Sequence, residues 1–229
     1  MVKVTAVAIA VLLSIIEFLT VYALPEQFRA GSGQKGRLRI GKELRVSPGF
    51  YFALGDADED EAVPGAPPDV RVYFHVTADG AAPLLRGVTR ALNGAGVPFR
   101  MKTLTDPRAY LRADAAVLYL GLRHYRRVER AIAAIHRSLR RHLRRSVPRF
   151  TRALAPGLGI AEDPSTGESF GQNRCRLVAL GLWRAFGASA GRRRDRDASV
   201  AAVFVEAGLD PLRPHLAAGS SERYEMAAP

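Results

Sequence analysis

The stretch Val70-Arg71-Val72-Tyr73-Phe74-His75-Val76 alternates apolar positions with Arg, Tyr and His, and this two-residue period constrains the chain more than any other feature. Side chains on a strand point alternately to opposite faces, so Val72, Phe74 and Val76 take one face and Arg71, Tyr73 and His75 the other. A core uses only the first set. The second face is polar in a way that ordinary core strands are not.

Another strand repeats the pattern with charge. In Val97-Pro98-Phe99-Arg100-Met101-Lys102, Arg100 and Lys102 share a face, and a turn at Asp106-Pro107 can return Arg112 beside them. A packed core has little use for converging cations unless an anion offsets their desolvation, so the grouping points to a phosphate. The competing reading is three solvated side chains on a half-exposed strand. Arg71 on the polar face, and Arg174 at the start of a predicted helix, are further ligand candidates.

The surrounding pattern predicts an edge strand at Arg37-Leu38-Arg39-Ile40, a strand at Gly49-Phe50-Tyr51-Phe52-Ala53-Leu54, and a continuously buried strand at Ala115-Ala116-Val117-Leu118-Tyr119-Leu120. An acidic, proline-rich loop joins the second of these to Val70. A helix capped by Thr77 or Asp79 carries the stripe Leu84, Leu85, Val88, Ala91 and Leu92 and ends at Gly94 or Gly96. Residues 124–145 read as an amphipathic helix with Val128, Ile132, Ile135, Leu139 and Leu143 inward and arginines outward, and two short helices follow at about 172–186 and 197–207. The predicted fold is α+β, a single domain over residues 37–224 whose mixed, largely antiparallel sheet is flanked by helices. An apolar segment and linker, residues 1–30, precede it.

Within that segment residues 4–24 form an apolar run of roughly membrane-spanning length, interrupted by Glu17. A carboxylate there costs roughly 2.5–3.5 kcal/mol on insertion scales, which weakens a transmembrane reading. A membrane tether, a buried helix, a signal peptide and a mis-set start codon all fit the run. Tether and buried helix rank above secretion, since nothing else in the chain looks exported. The expected location is the cytoplasm, with tethering through residues 4–24 as the variant.

A formal charge of +12 attracts anionic partners without choosing among them, and Arg so outnumbers Lys that part of the excess reflects a GC-rich genome. No aromatic platform interleaves the arginines of residues 124–145, which argues against nucleic acid and favours a solvated face or contact with another anionic partner. The five His are scattered and Cys175 is the single cysteine, so no metal site, cofactor or internal disulfide is expected. Gly167-Glu168-Ser169-Phe170-Gly171 matches the nucleophile-elbow pattern, but a turn-rich loop precedes it where a buried strand is required, so a serine hydrolase is set aside.

A longer set of motifs carries more weight. Gly41-Lys42-Glu43, Ser47-Pro48-Gly49-Phe50-Tyr51, Pro98-Phe99-Arg100-Met101-Lys102, Arg112-Ala113-Asp114-Ala115-Ala116-Val117-Leu118-Tyr119, Leu154-Ala155-Pro156-Gly157-Leu158-Gly159, Glu168-Ser169-Phe170-Gly171 and Arg174-Cys175 together resemble the Hop-A type III effector family. That family also includes actinobacterial proteins encoded with peptide-modifying kinases in lanthipeptide and thioamide-peptide clusters. The resemblance runs from about Arg37 to Tyr224.

It implies a phosphoserine or phosphothreonine lyase working beside a kinase that phosphorylates a precursor peptide. The implied fold is similar to that of the effector phosphothreonine lyases of enteric pathogens. In those enzymes a Lys two residues after a basic phosphate ligand takes the Cα proton, and a His or similar acid protonates the departing phosphate. Arg100-x-Lys102 matches the first element, and His75 or Tyr73 the second. Lysine is a base only when neutral, a state that Arg100 and Arg112 would favour in the free enzyme. Lys42, beside Glu43, is the rival base and is assigned here as a phosphate ligand.

Overall fold

The computed structural model of the protein describes residues 49–58, 69–189 and 193–226. The apolar run at 4–24, the predicted edge strand at Arg37-Leu38-Arg39-Ile40, Lys42 and most of the acidic loop lie outside the described residues.

Six strands form one sheet: β1 (Phe50–Leu54), β2 (Asp69–Phe74), β3 (Arg100–Leu104), β4 (Ala116–Gly121), β5 (Arg152–Ala155) and β6 (Leu158–Glu162). Their order is β1-β3-β4-β2-β6-β5, and each of these pairings is antiparallel. Among the described residues four α-helices accompany them: α1 (Ala78–Gly94), α2 (Leu122–Ser138), α3 (Phe170–Ser189) and α4 (Arg193–Glu206). This is the α+β arrangement expected from the alternation, a helix-flanked antiparallel sheet. No described helix is long and apolar enough to cross a membrane.

The periodicity of β2 decides which face is buried. Val70, Val72 and Phe74 are fully buried against Ala116, Leu118 and Leu120 of β4, Met101 of β3, the Leu84-Leu85-Val88-Leu92 stripe of α1, and Val128 and Ile132 of α2. Each such aliphatic or aromatic side chain contributes roughly 1.5–3 kcal/mol on burial, so this layer is the main core. Thr77 occupies the N-cap of α1, and Gly96, just past its end, takes a left-handed φ of 61°.

Two elements differ from the periodic reading. The helix expected over 124–145 stops at Ser138, because the backbone beyond it pairs with the chain leaving β2: Thr77 N–H donates to the His142 carbonyl, Arg144 N–H to the His75 carbonyl, and Val76 and Leu143 form a bridge. Those long-range bonds replace the helical ones that residues 142–144 would have made. The second difference is the β5–β6 hairpin, composed mostly of Ala, Leu and Gly, which carry little strand signal. Its turn is Pro156-Gly157, with Gly157 at φ 73°, where a Cβ would lie 2.1 Å from the Arg144 carbonyl oxygen. Only glycine fits there.

Helices α3 and α4 pack on each other around Leu177, Val203, Phe204 and Leu209, a small core of their own. Phe170, which opens α3, instead covers Tyr73, Val117 and Ala161 on the sheet face opposite α1 and α2.

Candidate functional site

Antiparallel register carries face parity across the sheet. Arg100 stands opposite Tyr119, Tyr119 opposite Arg71, and Arg71 opposite Ala161. The adjacent row runs Phe52, Lys102, Val117, Tyr73 and Gly159. Arg71, Tyr73, Arg100 and Lys102 therefore share the face turned away from the main core, the register joining the two pairs that alternation predicts.

Their charged ends meet over aromatic rings. Arg71 and Arg100 place their guanidinium carbons 5.4 and 5.9 Å from the centre of the Tyr119 ring, and Lys102 Nζ lies 5.6 Å from the same point. Lys102 Nζ is also 4.5 Å from the Phe50 ring centre, and the Arg112 guanidinium lies 5.9 Å from the same centre. A ring face is worth roughly 0.5–2 kcal/mol to a cation, which helps hold like charges together without neutralising them. Arg112 and Arg71 each have a carboxylate of their own. Arg112 makes a fork to Asp114 at 2.9 and 2.7 Å, and Arg71 donates through Nε at 2.9 Å and through Nη2 to Asp163. Beside Arg100, at the strand ends, a recess of about 100 Å³ is bordered by Asp69, Pro98, Tyr119, Gly121 and His124.

The two candidate acids differ in setting. Tyr73 is 6 % exposed, tilts against Phe170 at 6.4 Å between ring centres, and lies two strands from Lys102 in the same row. Burial pushes its phenol far above the ordinary value, and nearby Arg71 offsets this only in part, so the hydroxyl keeps its proton. His75 lies just beyond β2, with Nδ1 3.0 Å from both the carbonyl and the hydroxyl oxygen of Ser146. A carbonyl only accepts, so Nδ1 carries a proton in that bond, and Nε2 is buried with no hydrogen-bond partner among the described residues. No hydrogen bond among the described residues joins His75 to Lys102, Arg71 or Tyr73.

Arg174 is placed differently from the ligand role expected of it. It is 1 % exposed, and its nitrogens donate to the Pro214 carbonyl at 2.7 Å, the Leu216 carbonyl at 2.8 Å and the Asn173 side chain. With these acceptors in place it anchors the C-terminal segment rather than standing open to an anion. Ser169 also has a plain role. Its hydroxyl accepts from Gln172 N–H at 3.3 Å while its own N–H donates to the Gln172 side chain at 3.2 Å, a capping box at the start of α3.

Tyr119, Phe50 and Asp163 were not singled out from sequence. Tyr119 could have been found by applying to β4 the alternation used for β2, since it is the large polar aromatic on the non-core side of an apolar strand. Asp163 had no local signal, because its partner lies 92 residues away. Among the described residues no three His, Cys, Asp or Glu gather into a group that could hold a metal ion.

Comparison with known proteins agrees with this architecture. The model of the HopA1 effector protein family matches residues 42–216, more than half of the chain. The fold is similar to that of an effector protein from Pseudomonas syringae pv. tomato strain DC3000, with a TM-score of 0.58 and 18 % identity over 73 % of this chain and 62 % of that one. It is also similar to an effector protein from Pseudomonas syringae pv. syringae strain 61, with a TM-score of 0.57 and 16 % identity over 92 % of this chain and 81 % of that one. No curated protein matches. On the family match, with the fold in agreement, the chain belongs to the HopA1 effector protein family.

Proposed function

We propose that the cationic face is the active site of a phosphoserine or phosphothreonine lyase acting on a kinase-modified peptide. The observation that carries this reading is the convergence of Arg71, Arg100 and Lys102 on the ring of Tyr119, with Arg112 beside Phe50. Cations gathered on one face attract a phosphate dianion, Arg71 and Arg112 while also paired with Asp163 and Asp114.

Arg71, Arg100 and Arg112 hold the phosphate, with Lys42 as a further ligand from the preceding segment. The Lys102 amine takes the Cα proton of the phosphorylated residue, the electron pair left behind forms the Cα=Cβ bond, and the Cβ–O bond breaks. Phosphate departs with a proton from the acid, leaving dehydroalanine or dehydrobutyrine. Tyr73 is the better placed acid because it shares a row with Lys102 and keeps its proton, while the Nδ1 of His75 is committed to Ser146. Lys102 gains one proton and the acid loses one, so solvent exchange resets both. Side chains carry both transfers, and the chemistry itself calls for no redox step.

A lyase of this kind needs a peptide kinase upstream, in the same compartment, which is the cytoplasm in this reading. The test is intact-mass measurement of a phosphothreonine peptide incubated with the protein. Loss of phosphoric acid supports the lyase. An unchanged mass with preferential binding of the phosphorylated form would instead make the protein an effector-like binding module.

A further inference from the structure

The sheet ends at β5, and on its outer side the backbone of that strand meets no partner among the described residues. Such an edge is a row of unused donors and acceptors that can template another strand. The chain leading into it is strongly charged. Residues 137–152 contain Arg137, Arg140, Arg141, Arg144, Arg145, Arg149 and Arg152, and no acidic residue occurs between Arg130 and Glu162. All seven arginines are exposed, and none of them is paired with a carboxylate among the described residues. Elsewhere Arg71, Arg108, Arg112, Arg126, Arg176, Arg184 and Arg213 are each matched to an Asp or Glu. Seven exposed arginines with no carboxylate pair among the described residues thus fall within the stretch 137–152 that leads into β5.

From this juxtaposition we infer that the β5 edge docks an acidic, extended peptide segment, which adds as a seventh strand and is held by the arginines that precede and open β5. A backbone edge with no partner among the described residues selects a polypeptide, since nucleic acid and lipid headgroups offer no matching ladder of amides. The inference rests on the lyase reading only in naming that segment as part of the substrate peptide. Four interstrand steps separate β5 from β3, about 19 Å at roughly 4.8 Å per step. The docked strand lies one step beyond β5, about 24 Å from β3, and an extended chain rises roughly 3.3 Å per residue, so the phosphorylated residue would lie at least about seven residues from the docked segment.

The experiment uses fluorescein-labelled probes and the full chain, and none of the probes carries phosphate. The first probe is an alternating Asp-Val dodecamer, the second the same dodecamer with alternate amides N-methylated, and the third an alternating Lys-Val dodecamer. A dT12 oligonucleotide and vesicles of phosphatidylcholine with phosphatidylserine complete the set. The inference expects saturable binding of the Asp-Val peptide that weakens with salt and falls at least about tenfold on N-methylation or charge reversal. The exposed pair Arg149→Glu and Arg152→Glu, with unchanged circular dichroism, should lose binding by a similar factor. Equal binding of the methylated and unmethylated peptides would overturn the strand-addition claim. Tighter binding of dT12 or the vesicles would overturn the choice of partner. Because no probe carries a phosphate and no turnover is read, failure here is distinct from failure of the lyase reading.

Discussion

Glu162 and Asp163 are consecutive residues whose carboxylates serve opposite faces of the sheet. Glu162, opposite Val70, is fully buried and accepts from Ala217 N–H at 2.7 Å, the Ser220 hydroxyl at 2.8 Å and the Tyr224 hydroxyl at 2.7 Å. Asp163 grips Arg71 on the cationic face. One end of β6 thus secures both the C-terminal segment and a cation of the site.

If Glu162 is the anchor of residues 214–224, removing one of its donors should loosen that segment. Tyr224→Phe is expected to cost about 1 kcal/mol, the order of one buried hydrogen bond, and Glu162→Ala several times that, because its three donors are orphaned together. Urea denaturation checks the energies. Limited proteolysis should cut within 214–224 earlier in Glu162→Ala than in the wild type, and unchanged protection would show that apolar packing alone holds the segment.

Asp163→Ala leaves Arg71 without its carboxylate in a largely buried position, and stability should fall by about 1–3 kcal/mol. If Arg71 also contacts phosphate, a phosphothreonine peptide gives it a replacement acceptor. The ligand-induced rise in melting temperature should then be larger for Asp163→Ala than for the wild type. Equal rises would remove Arg71 from the phosphate site.

Tyr73 and His75 can be separated by substitution. Tyr73→Phe keeps the packing against Phe170 and deletes only the hydroxyl, so elimination should fall by the roughly 10²–10⁴-fold of a lost acid while binding changes little. His75→Gln should lower turnover much less. The reverse ranking would move the acid to His75. Substrates with better leaving groups should rescue whichever variant lacks the true acid.

The legible parts of this chain were those governed by short-range pattern. Alternation placed Arg71 with Tyr73 and Arg100 with Lys102, the sheet register then brought the two pairs to one face, and the stripe of α1 located its helix. What stayed hidden depended on distant partners. Helical periodicity runs on past Ser138, but the pairing of Val76 with Leu143 overrides it. Arg174 looked like a ligand because it is a cation near a helix start, and only the fold reveals the Pro214 and Leu216 carbonyls that engage it. The β5–β6 hairpin was announced by Pro156-Gly157, a turn signal outweighed by the weak strand character of its flanks.

His215 offers a pH test of how the C-terminal segment is seated. Burial, with Arg152 and Arg213 adding to it against the opposing pull of Glu162, lowers its pKa below the ordinary 6.5. The unfolded chain then binds the proton more readily than the folded one, so this contribution is present above pH 6.5 and is lost as pH falls below it. Between pH about 7.5 and about 5, bracketing the roughly 6.5 of a free imidazole, the melting temperature of the wild type should fall more than that of His215→Gln. Parallel declines would mean that the imidazole titrates alike in both states.

The central claim is that Lys102, on the face shared with Arg71, Arg100 and Tyr119, is the base of an elimination. Its most direct test is time-resolved intact-mass measurement of a phosphothreonine peptide with the wild type, Lys102→Ala and Lys42→Ala, each first shown by circular dichroism to be folded. The account predicts loss of phosphoric acid with the wild type. It predicts a fall of at least roughly 10²-fold in Lys102→Ala with phosphopeptide binding retained, and a weaker effect, confined mainly to binding, in Lys42→Ala. Turnover near wild type in folded Lys102→Ala would contradict it.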